Sequence, residues 1–514
     1  MSRVLLVNPS FLPEGSRFAP QTTPLTPPLG LLAVASSLTA AGLDVDLIDP
    51  QLDQDYLTHV AEAVARGPVF VGLTTYMGPN IINARAISTT VKKLSPETRV
   101  VWGGPLATSS PEMCFEEASV DHVVLGMGEE TAPRLVEALQ KTQNLTALPH
   151  VACRTGDAGQ SGQTYCFDGD LDGLPFPRLD LWEVGIHRMG EIPILSSRGC
   201  PRNCAFCYNN TFMGRKRWYG RSAQNVLTEM DHWAARFDID RFHFVDDNFL
   251  VDTQRACQIM DWSRARGYRL DQLLGHLVDF KPPILERLDG SIDHVHFSIE
   301  SASPKIQRLL NKPVDPERAV EMIRTFSDRG VAKITTNFMF GLPTEDDDDI
   351  AANLSLAVAI RALNPIVRIV PFVYGPQPMD DIVTRFDFYE RMPFSLDTLS
   401  EVDITPNRSR ILEADLHPWM TAEDREFYLD LIQLWFYHFD HVVRADQDIA
   451  VDEIVARSPR LRSLFASVPL PDYEAPPAFK LAGDGSEGLP VCGRRAAAEA
   501  ARGRRRRIHG GGSP

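Results

Sequence analysis

Three of the chain's eight cysteines, Cys200, Cys204 and Cys207, fall in the segment ILSSRGCPRNCAFCYNN at C-x3-C-x2-C spacing. Thiolates so closely spaced let one loop wrap an iron–sulfur cluster. Three ligands for four irons leave one iron without a protein ligand, and an open coordination position is where a metal does chemistry. A zinc knuckle would add a fourth ligand in a nearby pair, and none follows here. The other cysteines, at 114, 153, 166, 257 and 492, are scattered, which is not a disulfide framework. Cys200, Cys204 and Cys207 are therefore expected to be both metal ligands and catalytic residues, holding a [4Fe–4S] cluster.

A loop of this kind needs a scaffold, and a βα alternation starts at Ile192. The strand candidates are Ile192–Ser197, Arg241–Val245, Leu273–Val278, His294–Ile299, Ile334–Phe340 and Ile366–Val370. Helical spacing falls between them, at Ala223–Arg236, Thr253–Arg266, Pro304–Leu310, Pro316–Arg329 and Asp347–Arg361. Repeated units of this type suggest a partial (β/α)6 TIM-type barrel over residues 191–380, whose strand ends build the site. Polar residues cluster at those ends. FHFVDDNF offers Asp246, Asp247 and Asn248, HFSIESAS offers Ser298, Glu300 and Ser301, and NFMFGLPTE offers Gly341.

Residues 1–145 carry an earlier alternation. Strands are expected at Val4–Val7, Val45–Ile48, Val69–Leu73, Arg99–Trp102 and His122–Leu125, with helices at Gly30–Ala41, Leu57–Ala65, Asn80–Leu94 and Glu130–Leu139. The pattern is a doubly wound, Rossmann-like α/β sheet. Its strands end in VGLTTY, VVWGGPLAT and VVLGMGEET. Thr74 and Thr75 supply hydroxyls there, Gly103, Gly104, Gly126 and Gly128 supply room and bare N–H groups, and Glu129 follows. Such a crevice suits a large flat ligand. No G-x-G-x-x-G follows the first strand, so a dinucleotide fingerprint is missing.

From Ile192 to Pro378 the chain resembles the radical S-adenosylmethionine superfamily. The resemblance implies that S-adenosylmethionine chelates the open iron and is cleaved by one electron to a 5′-deoxyadenosyl radical. It puts Phe206 and Tyr208 beside adenine and gives Asp246, Asp247 and Asn248 to the methionine amino group. Ser298, Glu300 and Ser301 go to ribose or amino groups, and Gly341 lies near adenine. The first domain resembles the cobalamin-binding domain joined to many members, and the two-part order covers about three quarters of the chain. The D-x-H-x-x-G motif of histidine-ligated cobalamin is absent, so histidine ligation of cobalt is not expected. The resemblance implies an enzyme with a [4Fe–4S] cluster, S-adenosylmethionine and cobalamin as cofactors, and an external electron donor of flavodoxin or ferredoxin type. The reaction expected is methylation of an unactivated carbon, or a phosphinate phosphorus, of a small-molecule natural-product intermediate. A cyclase or oxidative ring-rearranging enzyme without methyl transfer is the alternative, and a non-catalytic cobalamin or iron–sulfur sensor stands behind it.

The bulk composition fits. Hydrophobic residues at 44% and charged residues at 23% belong to a chain able to bury large cores. A net charge of −16 gives nucleic-acid binding no support. No apolar run is long enough to span a membrane, and MSRVLLVNPS reads as a strand rather than a secretory signal, so a cytoplasmic location is expected. Residues 146–190, rich in Gly and Asp, read as a connector, and 381–472 as a mainly helical segment. Within the latter, TAEDREFYLDLIQLWFYHF opens with Thr421 and Asp424 placed for a capping box. Its aromatics Trp435, Phe436, Tyr437 and Phe439 read as core. Residues 473–514 read as a disordered tail, with seven arginines between Gly493 and Arg507.

Overall fold

The computed structural model describes residues 2–11 and 25–468, apart from 156–157, 161–164, 166, 168, 215, 379, 387, 393, 403–411, 413–415 and 440–450. The arginine-rich tail, Cys166 and Cys492 lie outside the described residues.

The N-terminal unit follows from its sequence pattern. Short β-branched runs buried on both faces alternate with helices, which is the signature of a parallel sheet covered twice. Strands β1 (Arg3–Val7), β2 (Asp44–Ile48), β3 (Phe70–Thr74), β4 (Arg99–Gly103) and β5 (His122–Val124) run parallel in the order β2-β1-β3-β4-β5. Helices Leu29–Ala40, Tyr56–Ala65, Pro79–Leu94 and Gly128–Gln140 cover the two faces. The direction of strand addition reverses between β1 and β3, and the crevice beyond the carboxyl ends of these strands is the usual ligand position.

The segment expected to be a connector does more than connect. Strands β6 (Val151–Thr155) and β7 (Ala158–Gln160) extend this same sheet antiparallel beyond β5. The residues with Gly- and Asp-rich turn character lie around these strands, and they mask a short edge hairpin that carries little apolar alternation of its own.

The second unit is built from β8 (Ile192–Ile194), β9 (Ser197–Gly199), β10 (Trp218–Gly220), β11 (Arg241–Phe244), β12 (Arg269–Asp271), β13 (Leu273–Leu274), β14 (His294–His296), β15 (Lys333–Phe340) and β16 (Arg368–Val373). The parallel order is β8-β11-β12, then β13-β14-β15-β16. β12 and β13 are two halves of one strand, broken at Gln272, whose φ is +59°. A bridge from Leu270 to Ile292 keeps the halves in one curved wall. Among the described residues β8 and β16 do not pair, so the (β/α)6 barrel is open. β9 and β10 form a separate antiparallel pair that flanks the cysteine loop, one strand before it and one after.

The aromatic helix spans Ala422–Phe439, and its capping box is in place. The Thr421 hydroxyl donates to Asp424 (2.8 Å), and the Asp424 N–H donates back to the Thr421 hydroxyl (3.1 Å). Trp435 is fully buried against Phe338, Phe340 and Phe439, and its Nε1–H donates to the Ile369 carbonyl (3.0 Å). Phe436 and Phe439 are buried as well, while Tyr437 is half-buried. Earlier, the short helix Leu396–Ser400 returns to the first unit and packs on helix Pro79–Leu94.

Candidate active site

Gly199 ends β9 with φ +77° and hands the chain to Cys200; a Cβ there would meet the Arg217 carbonyl at 2.4 Å, so only glycine fits. Cys200, Cys204 and Cys207 are half-buried, free of disulfides and electrostatically coupled to one another. The loop is closed by local bonds: the Cys207 N–H donates to the Cys204 carbonyl (3.1 Å), and Asn210 Nδ2 donates to the same oxygen (2.9 Å). Burial pushes all three thiols up, Cys207 to about 12, and bound iron would reverse this by supplying positive charge. Among the described residues, the one trio of potential ligand atoms within 4.8 Å of one another is Glu191, His243 and Asp271. Three free thiols on one half-buried loop are the donor set an iron–sulfur cluster takes.

The strand-end residues divide by what they touch. Asp246 is buried and accepts hydrogen bonds from Ser196 N–H (3.2 Å), Ser196 Oγ (2.7 Å) and Ser197 Oγ, so it braces the β8–β9 corner. Asp247 accepts from the Gly199 N–H (3.0 Å) and the Tyr208 hydroxyl (3.3 Å), at the mouth of the cysteine loop. Asn248 Nδ2 lies 4.0 Å from Cys200 Sγ and donates to buried Asp279 (2.8 Å). Ser298 accepts from Asn337 Nδ2 (3.1 Å).

Glu300 is buried with φ +66°, a left-handed backbone unusual for glutamate, held by the pairing of Glu300 with Phe338. Its Oε1 accepts from buried Lys312 Nζ (2.8 Å), and Lys312 stands 5.9 Å from the Phe206 ring centroid. Cys204, raised by burial, also feels the charges of both members of this pair. Ser301 is turned into the protein, where it bonds Asn353 and Ser303. Gly341 has φ +74°, donates to Glu345 (2.7 Å) and accepts from Trp419 Nε1 (3.1 Å), so the C-terminal segment reaches this strand end.

In the N-terminal unit the glycines serve the chain's own packing more than bare space. A Cβ on Gly104 would meet Thr74 Oγ1 at 2.6 Å, one on Gly126 the Tyr165 ring at 2.2 Å and one on Gly128 Val34 at 2.9 Å. Gly103 has nothing closer than 3.7 Å. The Gly126 N–H donates to Thr108 Oγ1 (2.8 Å), and the Thr75 hydroxyl donates to the Gly103 carbonyl (3.0 Å). Buried Glu129 is ion-paired with Arg198 of β9, across the boundary between the units.

Two residues not anticipated from the sequence complete the picture. Arg198 ties the first unit to the strand that feeds Cys200. Tyr76, just past β3, meets Phe11 at a tilt (ring centroids 5.4 Å apart, planes at 58°). Its phenol is raised by burial and by the charge of Asp247, and Tyr208 is raised by burial, Asp247 and Tyr76. Both rings nonetheless keep about two fifths of their surface open, 38% and 42%. Tyr208 bonds Asp247 directly, and both phenols feel its charge, one from each unit. The strand-end crevice of the first unit suits a flat cofactor and the thiol loop of the second suits a cluster, and Glu129 with Arg198 ties the two units together. A lone aromatic after a strand carries no sequence signal of this kind.

Residues 194–357 match the model of the Radical SAM superfamily, and residues 22–136 match that of the B12 binding domain. An uncharacterized methyltransferase of Pyrococcus horikoshii is 28% identical over 338 residues, covering 64% of this chain and 73% of its own length. Cytidylyl-2-hydroxyethylphosphonate methyltransferase of Streptomyces wedmorensis is 24% identical over 405 residues, 66% of this chain and 73% of its own. Among solved structures, the radical S-adenosylmethionine methyltransferase TsrM of Kitasatospora setae superposes with a TM-score of 0.64 at 19% identity, covering 77% of each chain. The cobalamin-dependent radical enzyme OxsB gives 0.64 at 16% identity, over 90% of this chain and 76% of that one. With its B12-binding domain first and its cysteine-bearing barrel second, the chain belongs to the cobalamin-dependent radical S-adenosylmethionine enzymes, which work with a [4Fe–4S] cluster, S-adenosylmethionine and cobalamin.

Proposed function

We propose that this enzyme methylates an unactivated carbon, or a phosphinate phosphorus, of a small natural-product intermediate in the cytoplasm. The observation that carries this reading is the ion pair of buried Glu129 with Arg198, which ties the end of the first unit's sheet to the strand that feeds Cys200 and so keeps both cofactor sites together. Two relatives named as methyltransferases, one of them acting on a phosphonate, support the reaction class. Among the described residues no helix is long and apolar enough to cross a membrane.

When bound, the cluster with S-adenosylmethionine supplies a substrate-activating radical, and cobalamin supplies a methyl carrier. The chain's own part is placement, where effective molarity is gained. Asp247 presents a carboxylate oxygen at the cluster loop to an ammonium group. Glu300, fixed by Lys312, presents a second carboxylate one strand-end further round the barrel. Tyr76 and Tyr208 feel the charge of Asp247, and their phenols stay protonated. Gly341, held at its N–H by Glu345 and at its carbonyl by Trp419, offers a bare backbone edge to a flat ring.

The test is mass spectrometry with a deuterated methyl donor. Methylation predicts a product carrying one labelled methyl group, with S-adenosylhomocysteine and 5′-deoxyadenosine formed together. An unlabelled product lacking two hydrogens would overturn it and identify a cyclase.

A further inference from the structure

A cleft of about 370 Å³ is lined by β10 and by the first turns of helices Ala223–Phe237 and Thr253–Arg266, and by none of the strand-end residues described above. Its walls hold two arginines, Arg221 and Arg255, only 7% and 6% exposed. Arg255 Nε donates to the Arg221 carbonyl (2.5 Å), and its Nη2 donates to the Ser196 carbonyl (2.6 Å). Arg221 Nε donates to Asn225 Oδ1 (2.7 Å), and its Nη1 donates to the Leu195 carbonyl (3.1 Å) and to Glu229. These bonds leave Arg255 Nη1 and Arg221 Nη2 buried and without an acceptor among the described residues. The Nε1–H of Trp218, in the same wall, is a third buried donor with none.

Buried donors are nearly always satisfied, and a buried charge is nearly always paired. Arg221 has its carboxylate in buried Glu229. Arg255 has none: among the described residues no carboxylate comes within ion-pair distance of its guanidinium, and Asp246, Asp252 and Asp172 act on it only through space. Two of these carboxylates line the cleft, but each is engaged by a helix start. Asp172 Oδ1 accepts from the Ser222 N–H (2.8 Å), and Asp252 Oδ1 accepts from the Arg255 N–H (3.0 Å). The cleft therefore gathers a guanidinium without a counter-ion, three donors without acceptors, and the N-terminal ends of two helices 15 and 14 residues long. Helix dipoles favour negative charge at that end.

We propose that this cleft binds a phosphate-type oxyanion, as free phosphate or as the phosphoryl or phosphonyl group of a small organic ligand. Arginine forks and helix N-termini are the donors such groups take. An anion here supplies the counter-charge that Arg255 lacks and an acceptor for Arg221 and Trp218. Binding makes and breaks no covalent bond, and it stands apart from the methyl-transfer reaction. Its link to the cysteine loop runs through Ser196, whose carbonyl holds Arg255 and whose N–H and hydroxyl hold Asp246. Occupancy of the cleft thus steadies the β8–β9 corner from which that loop departs.

The experiment titrates the full chain, reconstituted with its cofactors, with inorganic phosphate in exchange for chloride at constant ionic strength. Affinity is read from the saturable rise in melting temperature and, independently, by titration calorimetry. Phosphate should stabilise the chain saturably where chloride does not. Gln258→Glu, at an exposed helix position in the cleft wall, sets a like charge there and should weaken phosphate binding at least about tenfold. Trp218→Phe removes one donor while keeping a ring and should weaken it roughly fivefold. A second arm uses methylphosphonate and glycerol phosphate. Tighter binding of either than of inorganic phosphate assigns the anion to an organic ligand, and equal or weaker binding assigns it to free phosphate. No saturable response to any of the three probes, an equal response to chloride, or wild-type phosphate affinity in Gln258→Glu overturns the proposal. Should one variant fail to fold, the other decides. Every readout is binding, so failure here is separable from failure of the proposed function.

Discussion

Replacing Lys312 by methionine keeps most of the side chain's volume and removes its charge. In the native protein its Nζ lies 2.8 Å from Glu300 Oε1, with only 9% and 7% of the two side chains exposed. The substitution leaves a buried carboxylate with no counter-charge, on a residue already held at φ +66°. Breaking a buried pair from one side costs about 3–5 kcal/mol, because desolvation is no longer offset. For a barrel of this size that is a fall in melting temperature of roughly 6–20 °C. The double variant Lys312→Met/Glu300→Gln removes both charges and should regain most of that loss, giving a coupling energy of about 2 kcal/mol or more in a double-mutant cycle. The assay is thermal unfolding of the metal-free chain, read in the transition assigned to the barrel. Both Glu300→Gln variants should also form much less 5′-deoxyadenosine than wild type while binding cobalamin normally. Additive single and double variants would refute the pairing argument, and full 5′-deoxyadenosine formation by Glu300→Gln would remove Glu300 from the site.

Cys200→Ala, Cys204→Ala and Cys207→Ala should each abolish the iron–sulfur absorbance of anaerobically reconstituted protein, which otherwise takes up about four irons. Cys114→Ala, at a buried cysteine on a helix of the first unit, should leave it unchanged. Gly104→Val should destabilise the first unit outright, since φ +96° with ψ −171° is a glycine-only conformation whose loss costs about 1–3 kcal/mol before the contact with Thr74 is counted; a variant that melts like wild type but releases cobalamin would show instead that the space belongs to the cofactor. Glu345 is half-buried, and desolvation of its carboxyl pushes it up to about 8 from 4.5. The folded state therefore holds the proton more tightly, and this contribution to stability is present below about pH 4.5 and lost as pH rises through 8. Glu345→Gln should flatten that decline between pH 5 and 8 in melting curves, and an unchanged profile would exclude Glu345 as its cause.

Much of the frame was readable from residue patterns, because parallel strands buried on both faces leave continuous apolar runs such as Val69–Leu73 and Ile334–Phe340. The cysteine loop was readable because its ligands are adjacent in sequence. What escaped was set by tertiary contacts. β6 and β7 lie in a Gly-rich stretch whose pairing partner is β5, and the strand break at Gln272 depends on how two strands share neighbours. Asp246, Ser301 and Thr75 have the residue types of a binding site, yet they point into the corner, the core and the neighbouring loop. Tyr76 matters through residues more than a hundred positions away, and Arg198 through Glu129, 69 positions away.

The return of helix Leu396–Ser400 to the first unit has a consequence in time. The Leu396 N–H donates to Glu116 (2.9 Å) across 280 positions, and Arg85 pairs with Asp397 across 312. The Gly78 N–H donates to the Leu399 carbonyl (2.8 Å), beside the Tyr76 loop. During synthesis the ribosome adds about 5–20 residues per second, so roughly 12–48 s separate the emergence of the first unit's last strand from that of the segment that completes it. Through that interval Glu116, Arg85 and the Gly78 N–H lack these partners, so the last contacts of the first unit are timed by translation.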